Sequence, residues 1–261
     1  MDFLRKNLLV IILVLVAVII IIANVFLFIN FQAKQKQNKI SQDIQQVQQF
    51  IDLGNVAALD PVKLRSQGFD EQAVDLAEKT LQEKGPELEV LGIINSYNEK
   101  TSESRVQTLE KLSALGEIAI PALTKQIDSP ISKNRYIAYR AVAILADKVS
   151  PEKRKELLDI LKKGLTDSEP VLRLTNSLLL LSFGEKDGIP IMITGFDYKD
   201  LIMDTEPPIM ADSFAQIILN LYTNEVVADN KLAWQDWWDK NKENIIWDEQ
   251  QKKFIIQTNL K

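Results

Sequence analysis

The chain contains neither cysteine nor histidine among its 261 residues. That absence removes the thiol nucleophile, the Ser-His-Asp triad and the conventional zinc site. It also removes disulfides and a lipid-modified cysteine anchor, while leaving the compartment open. Glycine is scarce too, and the nine present include no Gly-x-Gly pair, so neither a dinucleotide loop nor a phosphate cradle can be built. Ser150-Pro151-Glu152-Lys153 has the Ser-x-x-Lys spacing of a serine nucleophile with a lysine base, but the Ser-Asp-Asn and Lys-Thr-Gly companions are missing. A serine before a proline reads instead as a helix N-cap. The acidic pairs Asp197 with Asp200 and Asp204 with Glu206 lack the Asp-x-Asp-x-Asp-Gly loop of a cation site and read as caps and solvated turns. The expectation is a non-enzymatic protein with no cofactor and no metal.

What is present begins with a long hydrophobic run. From Leu8 to Ile29 every position is apolar except Asn24. As a helix this run would extend roughly 33 Å, against a bilayer core of about 30 Å. It is too long for the apolar region of a cleaved signal peptide, and no small-residue cleavage site follows it. Residues 1–33 are therefore expected to be a transmembrane signal anchor, meeting the lipid bilayer through residues 8–29. Arg5 and Lys6 before the run nearly balance Lys34, Lys36 and Lys39 after it. The expected arrangement is single-pass, with a short cytoplasmic N-terminus and an extracytoplasmic domain.

Residues 34–53 read as a glutamine-rich helical stalk, in which Ile40, Ile44, Val47 and Ile51 form one apolar stripe. Pairing of two stalks as a short coiled coil is the self-association this stripe suggests. Residues 54–102 form a small helical segment. Asp60 before Pro61 and Asp70 before Glu71 are start signals, and Gly85-Pro86 is a stop signal, with a further helix from Glu87 to Tyr97. The polar run from Asn98 to Ser104 marks the boundary.

Beyond it the pattern repeats. Arg105 is followed by Gly116 at +11, Pro121 at +16 and Asp128 at +23, and Arg173 by Gly184 at +11, Pro190 at +17 and Asp197 at +24. Between the two lies a divergent unit from Asp128-Ser129-Pro130 to Asp167-Ser168-Glu169-Pro170, with Ala146 where the glycine would fall. The copy after Asp197 is interrupted by Thr205-Glu206-Pro207-Pro208. On these residues, with Val171, segment 103–222 resembles HEAT-like repeats, the type also found in phycobiliprotein-lyase-like helical repeat proteins. The resemblance implies an all-α fold, a short α-solenoid of helix pairs. Stripes such as Val106, Leu109 and Leu112 or Leu157, Leu161 and Leu165 would be buried only by stacking neighbouring pairs. Leu178 to Leu181, apolar all round, predict a central helix.

All four tryptophans, Trp234, Trp237, Trp238 and Trp247, fall in the closing segment 223–261. They read as a cap over the last apolar face, as in similar closing segments of some bacterial HEAT-repeat proteins; the competing reading is an aromatic platform for a ligand. Charge singles out residues 133–173, with ten basic and six acidic side chains in an otherwise acidic chain. Arg135, Tyr136, Tyr139, Arg140 and Arg173 are the candidate partner-binding residues. The expected function is a membrane-anchored scaffold for protein–protein interaction with a protein partner not specified by the sequence. The alternative is an envelope module that binds a polyanion or glycan through the basic segment or the tryptophans. Overall acidity disfavours nucleic acid.

Overall fold

The computed structural model describes residues 2–98 and 101–257, with side chains described from Ile20 onward. Two compact units divide between Gly92 and Ile93.

In the first unit, helix α1 (Asp2–Asp52) is followed by α2 (Pro61–Ser66) and α3 (Glu71–Asn95), which runs on across the division. The membrane expectation is corrected here: among the described residues no helix is long and apolar enough to cross a membrane. The expected span from Leu8 to Ile29 lies, as far as Ile19, on side chains outside the described residues. The single-pass location and the sidedness of the domain, which rested on that span, are withdrawn with it.

The stalk stripe turns inward. Val47 is fully buried with Leu59, Leu64, Ala73, Val74, Ala77 and Leu88, and Ile44 and Ile51 pack against the same cluster. The face expected to meet a second copy is thus occupied within the unit. Asp43 on α1 accepts the Asp70 backbone N–H at 2.8 Å, and Lys39 donates to the Gly68 carbonyl at 2.6 Å. Both start signals act as read: Asp60 accepts from Val62 N–H at 2.8 Å, and Asp70 from Gln72 N–H at 3.0 Å. The stop signal does not. Helix α3 continues through Gly85 and Pro86, because its apolar face spans the proline: Ala73, Val74 and Ala77 on one side join Leu88 on the other in one core. Burial of that size exceeds the local cost of about 3 kcal/mol for an interior proline. Gly54, at φ +65°, lies so close to Gly92 that a Cβ would stand 2.3 Å from the Gly92 nitrogen, so two backbones meet where side chains cannot fit.

The second unit is built of helix pairs. Helices α4 (Ser102–Ala114), α5 (Ile120–Ile127), α6 (Ser132–Ala146), α7 (Pro151–Lys163), α8 (Pro170–Ser182) and α9 (Gly188–Ile193) come first. Two short strands, β1 (Ile202–Met203) and β2 (Ile209–Met210), interrupt the series before α10 (Ala211–Thr223) and α11 (Lys231–Asn241). Strands β3 (Ile245–Asp248) and β4 (Lys253–Ile256) close it. Helices α4, α6, α8 and α10 pack in succession as one row; α7 bridges α6 and α8, α9 bridges α8 and α10, and α5 and α11 lie against α6 and α9.

The turns follow sequence features. Gly116 and Gly184 adopt φ +63° and +78°, a region that favours glycine. Pro121 sits in the first turn of α5, where its missing N–H costs nothing, and Pro190 lies near the start of α9. The divergent middle copy holds the same register, with Pro151 opening α7 at +16 from Arg135. Its greater length lies in α7, of 13 residues against 8 in α5. The helix most enclosed is α6 rather than α8: Tyr136 to Tyr139, Ala141 to Ala143, Leu145 and Ala146 are all buried, while Leu178 of α8 is only partly covered.

The described residues are mostly helical, as expected, with a small amount of strand besides. Two antiparallel hairpins are present, β1 with β2 and β3 with β4. In the second, Ile245 and Trp247 of β3 face the core with Phe254 of β4 while Ile246 between them stays exposed, a period-two alternation along β3 carried by β-branched and aromatic residues.

Candidate functional site

The fourth residue of α4, of α6 and of α8 is an arginine: Arg105, Arg135 and Arg173. Two of them do the same task. Arg135 donates to both carboxylate oxygens of Asp167, each at 2.8 Å, and to the Ser129 carbonyl at 3.0 Å. One pair later, Arg173 donates to the carbonyls of Asp167 at 2.6 Å and Ser168 at 3.0 Å, and to the Tyr198 hydroxyl at 2.6 Å. Each guanidinium therefore collects the carbonyls of the turn before its own helix, and each reaches on to the next turn.

Asp167 sits inside this clasp with its side chain 4 % exposed. Burial raises the pKa of its carboxyl, but the Arg135 guanidinium and the Glu169 N–H outweigh burial and hold it below the usual carboxylate range. Tyr139 lies beside the pair, and burial together with the Asp167 charge pushes its hydroxyl up to about 12. Of the candidate partner residues, Arg135, Tyr139 and Arg173 are thus placed in contacts within the protein.

Arg105 departs from this pattern. It pairs with Asp204, and the Tyr136 hydroxyl donates to the same carboxylate oxygen at 2.9 Å. Arg140 in turn donates to the Tyr136 oxygen at 2.9 Å and stands 5.4 Å from the centre of that ring. Asp204 belongs to the excursion between β1 and β2, here called the strap. Burial raises the Asp204 pKa, but the bonds from Arg105 and Tyr136 keep it below its ordinary value. The strap therefore reaches back from the fourth helix pair to the first and is fastened there by one carboxylate.

Beside this fastening lies an open groove of about 480 Å³. Tyr97, Ser132, Lys133 and Tyr136 form one wall, Val171 and Leu172 of α8 another, and Ile202, Met203 and Pro208 of the strap a third. Glu169 and Asp204 add acidic groups at the edge. Lys133 donates to the Tyr97 carbonyl at 3.3 Å. The groove is apolar in its walls and carries charges of both signs at its rim, a composition suited to a short peptide segment.

The basic segment is largely spoken for. Lys153 pairs with Glu156, Lys162 with Glu185 and Asp187, and Arg154 donates to the Ala146 carbonyl at 2.8 Å. Ser150 caps α7 by accepting from Lys153 N–H at 3.3 Å. One tryptophan lies in the core of the terminal region and the other three pack against it, partly covered. Trp234 is fully buried and donates to Gln216 at 2.7 Å; Trp237 meets it edge-on at 5.6 Å. Trp238 packs on the same cluster, and Trp247 lies over Gly184, where a Cβ would stand 2.5 Å from the indole, and against Tyr222 and Phe254. Asp197 pairs with Lys231. Among the described residues no group of three or more Asp or Glu side chains is placed to hold a metal ion.

Sequence reasoning singled out Tyr136 and Arg140 but not Tyr97, Lys133, Ile202, Met203 or Asp204 as one site. A usable signal was there: Thr205-Glu206-Pro207-Pro208 interrupts a repeat, and insertions in repeat arrays map to loops on one face, often the binding face. No family model matches the chain, and no curated protein or solved structure matches it.

Proposed function

We propose that the second unit is a HEAT-like α-solenoid that binds a peptide segment of a protein partner, without catalysis. The observation that carries this is the groove itself, with its apolar walls, charged rim and position at the break in the repeat series. Repetition of the arginine clasp at α6 and α8 supports the solenoid reading, because equivalent residues serve equivalent turns. A polyanion or glycan module has less support, since Lys153 and Lys162 are ion-paired, Trp234 is buried and the other three indoles pack against its cluster.

The test is selection of peptides on the full chain, repeated with Ser132→Trp. Ser132 is exposed at the first turn of α6, so a tryptophan there fills the groove without disturbing the core. Selected peptides should lose at least tenfold in affinity. Binding unaffected by Ser132→Trp would place the interaction elsewhere and reject the reading.

A further inference from the structure

The strap forms one wall of the groove and sends its carboxylate into the donors beside it. Its residues Ile202 and Met203 stand at the groove, and the next residue, Asp204, enters a pocket of donors made by Arg105 and Tyr136, with Arg140 behind. No other segment of the second unit leaves the helix rows to cross two helix pairs in this way among the described residues.

From this geometry we infer that the partner segment is acidic, with apolar residues immediately before the acid, and that the strap is its built-in competitor. The inference rests on the peptide-binding reading and adds the chemistry of the occupant.

Charge complementarity carries the argument. Asp204 is the acid that answers Arg105, and Arg140 donates only to a tyrosine oxygen that Asp204 already shares. Arg105, Arg140 and Lys133 give this end of the molecule three cations against Asp204 and Glu169. When the strap lifts, the local sum becomes more positive by one, and two donors aimed at a carboxylate remain in place. A basic or neutral segment would leave those donors without an acceptor, which costs more than a lost contact.

The strap is suited to lifting. Met203 anchors it in the core at 3 % exposure, so what lifts is the tip from Asp204 to Pro208, where Asp204 is 45 % exposed at its side chain and Glu206, Pro207 and Pro208 are exposed. An apparent affinity falls by the fraction of molecules whose site is open, so loosening the strap strengthens binding with no new contact.

The experiment uses a fluorescent synthetic peptide with the sequence of residues 201–209 and a second peptide in which the residue corresponding to Asp204 is Asn. Both are titrated into the full chain and into Asp204→Asn. The acidic peptide is expected to bind Asp204→Asn about tenfold more tightly than the unaltered chain, the scale of a charge-assisted hydrogen bond. It should also bind at least tenfold more tightly than its Asn counterpart, and adding Arg105→Gln should erase the gain. Equal affinity for the two peptides, or for the two proteins, overturns the inference.

Hydrogen exchange on the unaltered chain provides a readout that does not depend on the variant's folding. Saturating acidic peptide should raise exchange at Asp204 to Glu206 if it displaces the strap, and unchanged exchange counts against the inference. If the unaltered chain forms concentration-dependent dimers that Asp204→Asn abolishes, the occupant is the strap of a second copy, and a separate partner is rejected. Failure of the acidic peptide while selected peptides remain sensitive to Ser132→Trp rejects only the acidic chemistry. Insensitivity of every peptide to Ser132→Trp rejects the groove itself.

Discussion

Arg135–Asp167 and Arg105–Asp204 are the same chemical pair on equivalent helix positions, set in different surroundings. Asp167 is 4 % exposed and takes bonds from a guanidinium fork and a backbone N–H, within a turn held by two arginines. Asp204 is 45 % exposed and hangs from a hairpin with two residues in each strand. The first pair closes the stack of helix pairs, and the second fastens an excursion across it. An arginine at the fourth helical residue thus recurs in α4, α6 and α8, but its role is set by the acceptor it meets: the Asp167 carboxylate for Arg135, the Tyr198 hydroxyl for Arg173 and the strap for Arg105.

The largest effect expected is at the buried pair. Asp167→Ala leaves the Arg135 guanidinium, only 12 % exposed, without its carboxylate. Removing one partner of a buried pair costs about 3 kcal/mol or more. Urea unfolding followed by tryptophan fluorescence reports the second unit, since all four tryptophans lie in its terminal region. A loss below about 1 kcal/mol, the range of exposed pairs, would erase the distinction between the two pairs.

Much of this unit was legible in sequence and some was not, for physical reasons. The glycine and proline spacings mark turns directly, because φ and the missing N–H are properties of single residues. Pro151 lies at the same +16 offset but is obscured because α7 is longer than its counterparts. Arg135 and Arg173 read as surface charge, since sequence shows a cation but not the carbonyls of the turn it covers. The stop at Gly85-Pro86 failed because a local signal was outweighed by a core formed with residues far along the chain. The hydrophobic run at the N-terminus promised a span, but among the described residues no helix is long and apolar enough to cross a membrane. The groove was the least legible feature, because its walls come from the entry to α4, α6, α8 and the strap, segments separated by up to a hundred residues.

Acid sharpens the comparison further. Both carboxyls have folded pKa values below the unfolded value of about 3.9. A depressed folded value gives stability that is present above the unfolded pKa and is lost as pH falls through the folded one. The unfolding midpoint of the second unit should therefore fall steadily on acidification below about pH 4. Asp167→Asn should flatten this slope more than Asp204→Asn does, because exposure screens the strap pair. Equal flattening would mean that the two environments differ less than their exposure suggests.

The smallest global effect is expected where the local one is largest. Asp204→Ala leaves Arg105, 13 % exposed, without its carboxylate, but the carboxylate removed is itself 45 % exposed, so the cost to unfolding should be about 1–2 kcal/mol, below that at Asp167. Locally, the carboxylate is the strap's ionic fastening to α4 and its hydrogen bond to Tyr136. Amide exchange at Asp204 to Glu206 should therefore rise by about tenfold, while Leu174 and Leu181 in the core of α8 keep their protection. Uniform acceleration across both segments would show that the strap unfolds only with the whole unit, and the pair at Asp204 would then belong with the pair at Asp167 as part of the scaffold. A rise confined to the strap would separate fastening from framework, with Tyr136 and Arg140 still held by α6 while their acidic neighbour swings away.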